Sequence, residues 1–149
     1  MLLHARLVAL CLAIWRAMAP GLERQGDAQD VAEAIASAVV AEADAAPLTG
    51  SHALDAATVA LYAAMESGLH MRPHPWSWDA SAGVSCGILQ LPCSAVRYST
   101  LDEQVRLWLR LAREGGLPAL DSSASRAAHR ERRARSLLAG VLADPSLSW

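Results

Sequence analysis

Apolar positions recur at helical spacing through most of the chain, and short runs of breakers divide it into segments. Leu3, Leu7, Leu10 and Ile14 predict a first helix over about residues 2–18, ended by Pro20-Gly21. Asp27 and Asp30 precede Val31, Ile35, Ala38 and Val39, so a second helix starts there with its acids at the favourable end of the dipole. Pro47, Gly50 and Ser51 then interrupt. A third helix, about 52–67, places Leu54, Thr58, Leu61, Tyr62, Met65 and Leu69 on one face. Residues 68–85 read as loop, and a short helix is expected from about Gly87. Thr100-Leu-Asp-Glu103 is a capping box for a long helix to about Arg113, with Val105, Trp108, Leu109 and Ala112 inward. Gly115-Gly116 and Pro118 stop it. A last helix, about 124–143, turns Ala134, Leu137, Leu138 and Val141 to the core.

Composition agrees with a mainly α fold. The chain is rich in Ala, contains no Phe and is poor in β-branched runs. Its 149 residues suit a single domain, 1–149, with N-terminal helices in 1–46, the candidate chemistry in 47–113 and a C-terminal helix in 114–149. All 13 basic residues are Arg, and the joint absence of Lys and Phe is read as the codon bias of a GC-rich genome. A net charge of −2 supplies no general attraction to nucleic acid or anionic membrane, so no specific nucleic-acid partner is expected. No transmembrane segment is expected either, because no apolar run is long enough. The N-terminus has two readings. Leu7–Trp15 followed by Ala17-Met18-Ala19 has the outline of a secretory signal, and the same residues have the spacing of a core helix.

Glu66 carries the most chemistry. It ends an apolar helix just before Gly68, which is placed to supply a left-handed cap. The helix C-terminus and partial burial both disfavour a carboxylate there, so a raised pKa is expected. A glycosidase acid needs that property to hold its proton near neutral pH. The plainer reading is a solvated glutamate in a last turn. Downstream, Gly83-Val-Ser-Cys-Gly-Ile-Leu-Gln-Leu-Pro92 brings the Gln90 amide after a loop holding Trp76 and Trp78.

Glu66-Ser67 followed by Gly87-Ile88-Leu89-Gln90 resembles the motifs of the lysozyme-like soluble lytic transglycosylases, over roughly residues 53–113. The resemblance implies a lysozyme-like helical domain with a long loop or minimal β hairpin after the catalytic helix. It implies a muramidase that cuts between N-acetylmuramic acid and N-acetylglucosamine in peptidoglycan. Glu66 would protonate the glycosidic oxygen, then take the proton of the muramic acid 6-hydroxyl as a 1,6-anhydro ring closes, with no metal or other cofactor. Ser67 would fix the acid, Gly87 would open the second motif, and Gln90 would bond the sugar chain. A helix-cap or core-amide role for Gln90 stays open. The implied partners are peptidoglycan glycan strands and the proteins of a phage particle or secretion assembly, at the cell wall after export or on a virion tail. The family's later Ala-Tyr-Asn-Ala-Gly segment corresponds to Ala119–Ser125, which has no Tyr. A catalytically weak or inactive structural component of such an assembly is therefore the alternative.

The remaining candidates are weighed against ordinary roles. Trp76 and Trp78 would point to opposite sides of an extended segment, so at most one meets a sugar face. Asp79 is the candidate second carboxylate that a hydrolytic lysozyme would need, or simply a turn residue. Cys86 and Cys93 are candidates for a disulfide, and Cys11 for a small core residue. Cys86 as a nucleophile would need a His base, and only His129 follows it. His70 and His74 have a spacing seen in zinc sites, but the prolines between and after them preclude a helical pair. Arg126, Arg130, Arg132, Arg133 and Arg135 read as a solvated helix face that could touch an anionic polymer.

Overall fold

The caps and breakers of the sequence fall where the helices of the computed structural model, which describes residues 2–69, 85–96 and 99–145, begin and end. The order is α1 (Leu2–Met18), α2 (Ala28–Ala41), α3 (His52–Ser67), β1 (Ser85–Cys86), β2 (Leu91–Pro92), α4 (Cys93–Val96), α5 (Leu101–Gly115) and α6 (Ala124–Leu142). The chain is mainly α with one minimal antiparallel hairpin, helix making up 72% of the described residues. Ser51 Oγ accepts the Leu54 N–H at 3.0 Å, and Ser123 Oγ accepts that of Arg126 at 3.4 Å, so α3 and α6 start on side-chain caps. Thr100 Oγ1 accepts the Glu103 N–H at 3.4 Å and opens α5.

α3 is the central element, with α1, α2 and α6 packed on it. One apolar face was expected of it; instead every residue from Leu54 to Ala63 is buried. Ala56, Ala57, Ala60 and Ala63 are small enough for neighbours to approach from several sides. Met65, expected inward, is 42% exposed, whereas Leu69, expected on the same face, is fully buried. α1 is an integral part of this core. Its Trp15 is fully buried and donates from Nε1 to Ala60 O at 2.8 Å, so residues 2–18 take the core-helix role here. Among the described residues no helix is long and apolar enough to cross a membrane.

A buried carboxylate fixes the entry to α3. Asp55 accepts the Leu48 and Thr49 N–H groups at 3.0 and 2.8 Å and the Thr49 hydroxyl at 2.6 Å. Those bonds satisfy a charge that would otherwise be costly to bury in the first turn.

The helix expected from Gly87 is a turn. Gly87 (φ 81°) and Gln90 (φ 51°) are left-handed, a geometry that reverses the chain and cannot continue an α-helix. Ser85 pairs with Pro92 and Cys86 with Leu91, and helix resumes only at Cys93. The Cys86–Cys93 disulfide closes the hairpin, with Cα atoms 4.9 Å apart. That bond also overturns any role for Cys86 as a nucleophile, since its sulfur is no longer a thiol.

Candidate active site

The end of α3, the hairpin and the segment before α6 converge on a polar cleft of about 280 Å³. Glu66 and Tyr62 line it from α3, Ser85, Leu89, Gln90 and Leu91 from the hairpin, Trp108 from α5, and Leu120, Asp121, Ser122 and Arg126 from the far side. Two residues that the sequence singled out, Glu66 and Gln90, therefore share one cavity. So does part of the 119–125 segment that the resemblance matched to a tyrosine-bearing one.

Glu66 sits in the last turn of α3 because Gly68 (φ 63°) closes that helix, its N–H donating to Ala64 O at 3.1 Å. The side chain is 30% exposed and accepts a hydrogen bond from Arg130 Nη1 at 2.7 Å. Arg130 is 7% exposed, which corrects its reading as part of a solvated face. Its Nε lies 3.6 Å from Asp121 Oδ2, and Arg126 Nη1 lies 3.4 Å from Asp121 Oδ1. Glu66, Arg130, Asp121 and Arg126 thus alternate in charge, with buried Arg130 between two acids that line the cleft and not itself part of its lining.

Aromatic rings floor the network. Arg130 Cζ stands 4.6 Å from the centroid of Tyr62, a cation–π contact, and Tyr62 meets Trp108 edge to face at 5.2 Å. Tyr62 Oη and Trp108 Nε1 are buried with no hydrogen-bond partner among the described residues. Burial pushes the Tyr62 phenol up from its ordinary value, outweighing the downward pull of the Arg130 charge.

Gln90 holds its strained backbone by donating from Nε2 to Gly87 O at 2.8 Å. Left-handed geometry in a residue other than Gly is uncommon and concentrates at functional sites. Gly87 itself does not line the cleft. It makes the turn and lies so close to Gln104 that a Cβ there would collide with Oε1, the atom that accepts the Ile88 N–H at 3.2 Å. Ser67 does not fix the acid. Its hydroxyl donates to Ala63 O at 2.8 Å and accepts the Leu69 N–H at 3.3 Å, so it terminates α3.

Trp76, Trp78, Asp79, His70 and His74 lie outside the described residues. Among the described residues no three His, Cys, Asp or Glu side chains gather to hold a metal ion. The residues that sequence reasoning missed are Arg130, Asp121 and Gln104. Arg130 had a signal, for it falls in register with buried Ala127, Ala134, Leu138 and Val141 on the inward stripe of α6. A larger groove of about 980 Å³ runs between the end of α2 and α5, where Glu42 pairs with Arg113. It holds none of the cleft residues, and its acidic and basic chains come from exposed helix faces, so the smaller cleft is the better chemical site.

Compared with known protein families, curated proteins and solved structures, the chain finds no match in any of the three.

Proposed function

We propose that the chain is a lysozyme-like, peptidoglycan-cleaving muramidase of the lytic transglycosylase type, with Glu66 as its acid. The observation that carries this reading is the shared cleft: Glu66 at the end of a helix, Gln90 on a disulfide-closed turn, and the 120–122 segment around one polar cavity. In this mechanism Glu66 gives its proton to the glycosidic oxygen as the bond to the muramic acid C1 breaks. The carboxylate then removes the proton of the 6-hydroxyl, whose oxygen closes on C1 to give the 1,6-anhydro product. One carboxyl suffices, and the arrangement favours that route over paired-carboxylate hydrolysis. Among the described residues the other acid of the cleft is Asp121, which is engaged by Arg126 and Arg130 and has the latter between it and Glu66.

The test is to incubate the protein and Glu66→Gln with peptidoglycan sacculi and identify the released muropeptides by mass spectrometry. Anhydro-muropeptides from wild type alone support the reading, and reducing ends point to a hydrolytic lysozyme. A second reading is a non-catalytic component of a phage or secretion assembly that keeps the fold. The Glu66–Arg130 pair favours it, because that carboxylate is already engaged. No release by folded wild type at several pH values decides for it.

A further inference from the structure

We propose that Arg130 is a positioning residue that exchanges carboxylates, holding Glu66 while the cleft is empty and moving onto Asp121 when a sugar chain enters. The inference rests on Glu66 being the acid proposed above. An acid must meet the glycosidic oxygen, and Glu66 Oε1 instead accepts from Arg130 Nη1 at 2.7 Å. Arg130 has a second seat that it does not fully occupy. Its Nε faces Asp121 Oδ2 at 3.6 Å, beyond hydrogen-bond range, and neither atom has a hydrogen-bond partner among the described residues. A buried donor left opposite a buried acceptor is an unfavourable arrangement that a small movement relieves. Closing to an ordinary N–H···O distance takes only about 0.7 Å.

The surroundings permit that movement. Arg130 rests over the face of Tyr62, and a ring attracts a cation without fixing its position in the plane, so the guanidinium can slide. Arg126 holds the other oxygen of Asp121 at 3.4 Å and its side chain is 56% exposed, so it can yield to water as Arg130 arrives. The side chain of Asp121 is 1% exposed and keeps a cation in either arrangement. A shift of that size lengthens the Glu66 contact from 2.7 Å to about 3.4 Å at most, so the exchange loosens the hold on Glu66 without stranding a buried charge.

The experiment follows the Arg130 Nε–H resonance in arginine-labelled protein, assigned by its loss in Arg130→Lys, during titration with a chitin pentasaccharide. Sacculus cleavage is measured in parallel. The resonance should move downfield as the sugar binds, reporting a stronger hydrogen bond. In Asp121→Asn the movement should fall by about half or more, and kcat on solubilised glycan strands by about tenfold with KM unchanged. Sugar that binds and is cut while the resonance stays put overturns the exchange and leaves the Glu66 reading intact. A folded Asp121→Asn protein with wild-type kcat also overturns it. If wild type neither binds nor cuts sugar, the exchange fails together with the reading beneath it.

Discussion

Glu66 on the last turn of α3 and Arg130 on α6 meet at 2.7 Å although 64 residues separate them in the chain. The pair is a joint between two helices as well as a feature of the cleft, so its two halves respond differently to substitution. Arg130→Ala leaves Asp121, whose side chain is 1% exposed, with only the half-exposed Arg126 as a counter-charge. A loss of about 3–5 kcal/mol in urea unfolding is expected. Glu66→Gln keeps an acceptor for Arg130 and should cost about 1 kcal/mol while abolishing anhydro-muropeptide release. An Arg130→Ala protein as stable as wild type would sink the joint.

The Tyr62 phenol makes stability fall at alkaline pH. Its pKa is raised in the folded state by burial, so unfolded chains lose this proton first as pH climbs past about 10. The stabilisation relative to an ionised phenol is complete below that pH and declines above it, by at most about 1.4 kcal/mol per pH unit. Tyr62→Phe should flatten this part of the profile in urea melts between pH 8 and 11. At neutral pH it should change stability by under about 1 kcal/mol, because Tyr62 Oη has no hydrogen bond to lose among the described residues.

Reduction should loosen the hairpin before the helices. The Cys86–Cys93 bond spans a sequence separation of 7, for which loop entropy gives about 2.5 kcal/mol. Melting with and without dithiothreitol should show that difference, and sacculus cleavage should drop on reduction. Burial pushes the remaining thiol, Cys11, up to about 12, so it should resist alkylation in the folded oxidised protein and react once unfolded. Rapid labelling of Cys11 under native conditions would contradict its burial.

Gly87→Ala should damage the turn from two directions. Its φ of 81° is unfavourable for alanine, and the added methyl collides with Gln104 Oε1. A cost of about 1–3 kcal/mol is expected, with the Ile88–Gln104 hydrogen bond weakened. Because Gln90 braces on Gly87 O, saccharide binding should weaken too, which isothermal titration can measure. Unchanged affinity in the folded variant would separate Gln90 from the ligand.

Helices were legible where local chemistry decides them. Thr100 reads as a cap and caps α5, and Ser51, read as a breaker, caps α3; the Ser123 cap of α6 emerges only in the structure. The 87–90 turn was less legible, since Ile88-Leu89 has no strong turn signature and the reversal depends on left-handed Gln90 and the disulfide. Glu66 and Gln90 stood out as residue types with suitable neighbours. Asp121 did not, because an acid before two serines reads equally well as a helix entry, and its burial depends on α6 folding back across the chain. Arg130 was hidden by its company: among neighbouring arginines, one inward position looks like the rest until the register of α6 is followed.

Alanine at the centre of α3 also shapes how the sequence can drift. Ala56, Ala57, Ala60 and Ala63 have no exposed surface, so a larger side chain has nowhere to expand without moving a neighbouring helix. Glycine is the only smaller choice, and it weakens the helix itself. Substitutions are thus blocked in both directions along the element that delivers Glu66, whereas the exposed positions of α6 face no such limit. In a lineage of such proteins, divergence would collect on the outer faces while this column of small residues kept the acid in register with the cleft.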